Sequence, residues 1–129
     1  MKKDIHIPKV QEIAFAVIEE GDDWVAYLIN MNNFSIENTL VSSKGYGKIN
    51  NRQKKTTSFS HFLGKIEKKS YKKVEYINKS VVGLTNEFFL TFYKDDLIYD
   101  KKYIFLPESL IPKNKTKLPL IGSKGIMIK

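Results

Sequence analysis

The side chains best suited to catalysis in this sequence are Ser58, Ser60 and His61, which lie almost next to one another. A serine hydrolase needs a serine nucleophile, a histidine base and a carboxylate that orients the histidine. Neighbouring residues of an extended chain point to opposite faces, so this spacing does not place a serine hydroxyl on the imidazole. We therefore predict that the chain has no catalytic residues and is not an enzyme.

Residues that commonly hold metals or cofactors are few. The sequence contains no cysteine, and its two histidines, His6 and His61, lie far apart without the spacing of a metal site. The acid pairs Asp22-Asp23 and Asp95-Asp96 fall in predicted turns, where aspartate side chains typically cap the backbone. We predict no metal site and no cofactor.

The best candidate for a binding motif is Lys44-Gly45-Tyr46-Gly47-Lys48. The glycines would let the backbone turn with its N–H groups exposed, the lysines supply charge, and Tyr46 could stack on a base. The spacing is not that of a P-loop, which ends in Gly-Lys-Ser/Thr. A purely structural turn after a strand is the alternative interpretation.

Positive charge is concentrated in two parts of the sequence. Segment 38–66 has no carboxylate and carries +6, and the chain after Glu108 carries +5, whereas the net charge of the whole chain is +8. An anionic partner is one interpretation of this segregation. The lysine-rich composition typical of an AT-rich genome is the other. The predicted binding residues are Lys44, Tyr46, Lys48, Arg52, Lys54 and Lys55, with Lys113, Lys115 and Lys117 as a second patch.

The kind of basic residue restricts the possible partners. Arg52 is the single arginine among 22 basic residues. Reading guanine through two parallel hydrogen bonds is mostly arginine chemistry, so we predict no sequence-specific DNA binding. The first residues place an acid and a proline where a signal peptide has its apolar core, and no apolar run is long enough to cross a bilayer. We expect a cytoplasmic protein with no membrane partner.

The elements that must position these residues are β-strands. Segment 84–107 reads as a hairpin with Phe88, Leu90 and Phe92 on one face of its first strand. Its second strand carries Leu97, Tyr99, Tyr103 and Phe105 on one face. Lys94-Asp95-Asp96 between them is typical of a type I turn. A strand pair with this many aromatic residues needs a second sheet to cover its apolar face.

Other segments supply that second sheet. Segment 10–19 is apolar on both faces, as in a central strand, and segments 24–31 and 36–43 follow as further strands, with Trp24 expected in the core or at a strand end. Residues 44–55 read as a long polar loop. Phe59–Ile66 could form a strand or a short helix capped by Thr57 or Ser58, and the β-rich surroundings favour the strand.

We predict an all-β protein with an immunoglobulin-like β-sandwich of about seven or eight strands; a small β-barrel is the alternative, and a short helix is possible near Phe59–Ile66. Residues 1–107 form the sandwich domain. Residues 108–129 are a proline- and lysine-rich C-terminal segment that we expect to pack on the same domain.

Several stretches resemble a family of short, uncharacterised bacterial proteins, some of which are labelled as a phenylalanyl-tRNA synthetase subunit. They are Ser43-Lys44-Gly45-Tyr46-Gly47, Asn86-Glu87-Phe88-Phe89, Ile98-Tyr99-Asp100-Lys101-Lys102-Tyr103-Ile104-Phe105-Leu106-Pro107-Glu108-Ser109 and Leu118-Pro119-Leu120. The resemblance covers nearly the whole chain. Class II synthetases bind ATP with two motif arginines, and Arg52 stands in neither context. The resemblance therefore implies a synthetase-associated accessory role.

The charge segregation and the missing catalytic groups together favour a non-catalytic cytoplasmic binding module. Its partner would be a protein or a ribonucleoprotein, contacted through the basic loop and the C-terminal segment. Two alternatives stay open: direct binding of RNA or another single-stranded nucleic acid, and a tRNA-synthetase-associated accessory protein.

Overall fold

Two antiparallel β-sheets face one another in the computed structural model, which describes residues 8–56, 58–78, 80 and 82–129. Sheet A contains, in spatial order, β6 (Ser70–Asn78), β2 (Asp23–Asn30), β1 (Ile13–Glu20), β10 (Lys124–Ile128) and β9 (Thr116–Lys117). Sheet B contains β4 (Arg52–Lys55), β3 (Ile36–Ile49), β7 (Thr85–Lys94) and β8 (Leu97–Phe105), and β5 (Phe59–Ile66) also pairs with β3. The predicted all-β class is confirmed.

The strand connectivity is that of the immunoglobulin fold. β1 and β2 form a hairpin in sheet A, and β3 then pairs with β5 in sheet B. The chain returns to sheet A as β6 beside β2, and β7 and β8 complete sheet B beside β3. Immunoglobulin strands A, B and E share one sheet and C, F and G the other in this same order. The sandwich prediction is therefore confirmed, and the barrel alternative is wrong because the sheets do not close on each other.

The described residues form ten strands rather than seven or eight. The additional strands come from the segment read as a loop, which contains β4, and from the C-terminal segment, which contains β9 and β10. β10 pairs with β1, with Phe15 opposite Ile128. A short 3-10 helix, Pro112–Asn114, precedes β9. Residues 108–129 are thus part of the sandwich, because β1 has a free edge that β10 occupies.

Aromatic side chains fill the space between the sheets. Phe15 of sheet A stacks on Phe88 of sheet B with 4.8 Å between ring centroids, and the Tyr103 ring lies 4.9 Å from Phe15. Trp24 is also buried in this core, as expected. β1 is buried on both faces, because Ala14 on its outer face is covered by an apolar cluster that includes Leu118. The prediction of a central strand there is confirmed.

Two buried polar groups tie loops and sheets together. The Tyr103 hydroxyl donates to the Ile13 carbonyl oxygen at 2.8 Å and so links β8 to β1. The Asn30 amide donates to the carbonyl oxygens of Phe34 and Glu67 at 2.9 and 3.1 Å. Because buried polar groups cost stability unless they are paired, these bonds fix both the sheet contact and the turns at that end.

The alternative of a short helix at Phe59–Ile66 is wrong, since these residues form β5. They pair with β3 from Phe59 opposite Ser43 to Ile66 opposite Ile36. Hydrogen bonding to the free backbone groups at the edge of β3 therefore outweighs the helical preference that the spacing of the apolar residues indicates. Ser58 lies beside a strand and caps no helix. Thr57 and His6 lie outside the described residues.

The hairpin turns differ from the predicted type. Asp95 and Asp96 have φ of +51° and +63°, so both adopt the left-handed conformation of a type I′ turn instead of type I. Type I′ matches the right-handed twist of the flanking strands, with Lys94 paired directly to Leu97. Asn50 and Asn51, at +53° and +63°, make the same turn between β3 and β4.

Gly125 tests the docking of β10 on β1. A Cβ at this position would lie 2.6 Å from the Val17 carbonyl oxygen and 2.8 Å from Leu118 Cδ1. Gly125→Ala should therefore push the two strands apart and lower the free energy of unfolding by about 1–3 kcal/mol, measured by urea denaturation. Gly83→Ala is the control, because no atom lies within 4 Å of a Cβ there and its φ is not left-handed. An equal decrease in the free energy of unfolding in the two variants would contradict the placement of β10.

Burial raises the pKa of Tyr103 far above its ordinary value of 10.0. The unfolded chain ionises this phenol above about pH 10 while the folded chain keeps it neutral, so its contribution to stability is complete below that pH and lost above it. Above about pH 10 the free energy of unfolding of the wild type should fall by up to about 1.4 kcal/mol per pH unit because of this phenol. We expect Tyr103→Phe to remove that fall, measured by urea denaturation at about pH 8 and about pH 11. Identical pH slopes in the two proteins would count against a buried phenol.

Candidate functional site

The predicted basic loop is a β-hairpin. β3 continues to Ile49 and pairs with β4, with Tyr46 opposite Lys55 and Lys48 opposite Gln53. The interpretation as a long loop was wrong because two left-handed asparagines close a two-residue turn. We call residues 44–55 the basic hairpin.

The glycines of the Lys-Gly-Tyr-Gly-Lys motif do not form an anion-binding turn. Gly45 lies in β3, where its N–H donates to Thr56 Oγ1 at 2.7 Å and its carbonyl accepts from the Thr56 N–H at 2.8 Å. A Cβ on Gly45 would lie 3.0 Å from Thr56 Cγ2. Gly47 likewise has a close neighbour, since a Cβ at this position would contact Leu84. The motif therefore permits close backbone packing, and the N–H of Gly45 is already occupied.

A carboxylate that sequence reasoning missed lies at the centre of the site. Glu87 on β7 is directly opposite Lys44 and is only 8% exposed. Its carboxylate lies 3.6 Å from Lys44 Nζ and 4.0 Å from Lys102 Nζ, and it accepts a 3.2 Å hydrogen bond from the Tyr46 hydroxyl. Glu87 is 41 residues from Tyr46 in sequence, so only the pairing of β3 with β7 brings them together.

A shallow cavity of about 420 Å³ opens beside Glu87. Its lining residues are Lys44, Tyr46, Gln53, Lys54, Lys55 and Glu87. Three lysines face one carboxylate, so the cavity keeps an excess of positive charge. Lysine ammonium groups, a tyrosine and an amide can together hold a carboxylate or a phosphate. Lys48 and Arg52 extend the same charge along the hairpin, where both are exposed.

The second predicted patch lies on the other sheet. Lys117 belongs to β9, at the edge of sheet A, and Lys113 lies in the preceding 3-10 helix. Lys115 Nζ lies 2.8 Å from Glu19 Oε1 and 5.5 Å from the centroid of the Trp24 ring. The structure therefore separates these lysines from the basic hairpin, and the charge of Lys115 is paired.

His61 takes part in a polar cluster that links the two sheets. Its Nε2 lies 2.6 Å from Glu75 Oε1, and the same oxygen accepts a 2.5 Å hydrogen bond from the Ser43 hydroxyl. Ser60 instead faces Ser42, with 3.4 Å between their hydroxyl oxygens. Because Ser43 bonds the carboxylate and not the imidazole, the geometry is not that of a nucleophile with its base. The cluster joins β5 of sheet B to β6 of sheet A.

Large apolar side chains cover much of the outer face of sheet B. Phe62 is 69% exposed on β5 and Phe89 is 39% exposed on β7. The exposed members of this face are Leu40, Phe62, Phe89, Tyr93, Ile98 and Ile104. Each strand of segment 84–107 was predicted to have one apolar face, yet consecutive residues such as Phe88 and Phe89 fall on opposite faces. Apolar residues on both faces were the signal that could have revealed this surface.

Replacement of Glu87 tests the contact at the centre of the site. Burial raises the pKa of Tyr46 most, and the hydrogen bond to Glu87 raises it further. Glu87→Gln keeps the shape but removes the negative charge, so we expect the pKa of Tyr46 to fall toward its ordinary value, measured by NMR titration of ¹³C-labelled tyrosine. The pKa of Tyr27, raised by burial and by Glu20, should stay constant in the same spectra. An unchanged Tyr46 titration would contradict the contact.

Comparisons with models of protein families, with curated proteins and with solved structures give no match to this chain. Within the described residues, no helix is long and apolar enough to cross a membrane. The same part of the chain has no group of three or more His, Cys, Asp or Glu side chains placed to hold a metal ion. The basic hairpin and the outer face of sheet B are therefore the surfaces that could contact a partner.

Proposed function

We propose that the chain is a non-catalytic cytoplasmic binding module that engages an acidic protein or a ribonucleoprotein through the basic hairpin. The observation that supports this most is the gathering of exposed basic side chains on one hairpin, beside a cavity with a single carboxylate. The residues that would contact the partner are Lys44, Tyr46, Lys48, Arg52, Lys54 and Lys55. The proposed C-terminal contact through Lys113 and Lys117 would be a separate one, on sheet A.

The geometry favours a partner with several negative charges. Glu87 already pairs with Lys44 and Lys102, so an incoming anion has to compete with a carboxylate for these two ammonium groups. Lys54 and Lys55 also line the cavity and are exposed. Exposed single ion pairs contribute little, so useful affinity needs several of them at once. An acidic protein segment or a run of phosphates meets this requirement.

A second candidate function, direct binding of RNA or another single-stranded nucleic acid, is favoured by the exposed aromatic rings. Phe89 lies on the outer face of sheet B opposite Lys102, with Phe62 further along the same face. Nucleic-acid bases stack on such rings while lysines contact the phosphates. The resemblance to proteins labelled as a synthetase subunit supports a third candidate, an accessory protein of a tRNA synthetase.

Charge reversal on the hairpin tests the proposal. Lys48→Glu, Lys54→Glu and Lys55→Glu combined should lower capture of partners from the protein's own cell lysate about tenfold or more, because the favourable ion pairs become repulsive. The melting temperature should change by only about 2 °C, since all three side chains are exposed. The control is Lys9→Glu, Lys68→Glu and Lys124→Glu, which are exposed lysines outside both proposed patches and give the same change of net charge. Equal losses in both variants would reject the hairpin as the site.

Nuclease treatment and salt separate the candidate partners. A protein partner should survive nuclease, whereas a ribonucleoprotein should lose its RNA-dependent components. Direct nucleic-acid binding should weaken steeply with rising salt, because bound counterions are released. Capture that survives nuclease and weakens only moderately with rising salt would leave the acidic protein as the partner, because salt also screens its exposed ion pairs.

A further inference from the structure

The outer face of sheet B is electrically polarised along its strands. Its end at the basic hairpin carries Lys44 on β3 and Lys102 on β8, with Glu87 of the intervening β7 paired to both. Its other end, at the turn between β7 and β8, carries exposed carboxylates at Glu37, Asp95, Asp96 and Asp100, of which Asp95 pairs with Lys94 at 2.8 Å. The exposed apolar residues are interleaved with these charges, since Ile98 and Ile104 flank Asp100 and Lys102 on β8. Although the chain has a net charge of +8, this face is thus close to neutral.

We propose that a second copy of the chain covers this face, in a two-fold symmetric dimer whose two B sheets pack face to face with their strands running in opposite directions. A two-fold interface uses the same surface on both copies, so each contact occurs twice. The opposed direction places the basic end of one copy over the acidic end of the other. A parallel arrangement would instead place lysines over lysines.

The strand register specifies which residues meet. On β8 the outward side chains Ile98, Asp100, Lys102 and Ile104 are symmetric about residue 101, because alternate residues share a face. A two-fold axis that lies between the two sheets and runs across the strands at this point places Lys102 of each copy opposite Asp100 of the other. It also places Ile104 opposite Ile98.

The neighbouring strands obey the same symmetry. The β7 residues paired with Asp100 and Lys102 are Thr91 and Phe89, which lie on either side of the same axis. On β3, Lys44 falls at the basic end and Glu37 at the acidic end of the overlapping area. The axis therefore brings Lys44 of one copy toward Glu37 of the other. Two sheets packed at about 10 Å would bury the exposed apolar residues of both copies beside these charge pairs.

The inference goes beyond the proposed function and does not require it. Lys48, Arg52, Lys54 and Lys55 lie on the hairpin past the overlapping area, because β4 pairs only with the last residues of β3. A dimer would thus leave these four basic residues of each copy free at opposite ends, while Lys44 lies at the edge of the interface. Loss of the dimer and loss of partner capture are separate results, since they are caused by changes at different residues.

Charge exchange on β8 tests the dimer. Sedimentation equilibrium of the full chain should show a concentration-dependent dimer. Lys102→Asp and Asp100→Lys should each weaken it about tenfold or more, because each variant places like charges opposite one another. Mixing the two variants should restore a heterodimer, since both opposed pairs then carry opposite charges. Lys113→Asp, in the 3-10 helix before β9, is the control for net charge and should leave the dimer unchanged.

Melting temperatures of all variants establish that they are folded. A wild-type chain that stays monomeric up to about 1 mM would overturn the proposal, because that is weaker than a specific interface of this kind should be. So would single variants that dimerise like the wild type. A mixture of Lys102→Asp and Asp100→Lys that stays monomeric would overturn the opposed arrangement.

Discussion

The register of β3 on β7 is the constraint on which both the core and the candidate site depend. Since side chains alternate between faces, a slip of one residue would exchange every inward group for an outward one. In the observed register Val41 and Leu90 point into the core, while Lys44 lies opposite Glu87 outside. The free edge of β3 is held by β5 and β4, which resists such a slip. The same backbone hydrogen bonds therefore fix the core and place the charges.

Local patterns in the sequence were enough to predict the sandwich. The alternation of Phe88, Leu90 and Phe92 and the turn at Glu20-Gly21-Asp22-Asp23 are short-range signals, and both appear in the structure as strands and a hairpin. The hairpin of β3 and β4 was not predicted, because its lysine, asparagine and glutamine residues have the composition of a loop. The signal was the Asn50-Asn51 pair, since asparagine tolerates the left-handed conformation that a type I′ turn requires.

The site was predictable only on its basic side. The lysines of segment 38–66 are visible from the absence of carboxylates, but the pairing with Glu87 depends on a register between distant segments. The separation of Lys115 from the hairpin likewise depends on where β9 and β10 join sheet A. The polar cluster of His61 and Glu75 requires two strands in different sheets to meet. Long-range pairing of this kind leaves no short-range trace in a single sequence.

The position of β4 has a consequence for kinetics. It is a four-residue edge strand, all of whose residues are exposed, and it pairs only with the end of β3. Local stability follows buried contacts, so this strand detaches and reattaches more readily than the central β7. A partner that holds β4 in place must offset the entropy of ordering it, which lowers the net affinity and shortens the lifetime of the complex. The basic hairpin is therefore suited to brief, repeated encounters more than to a permanent assembly.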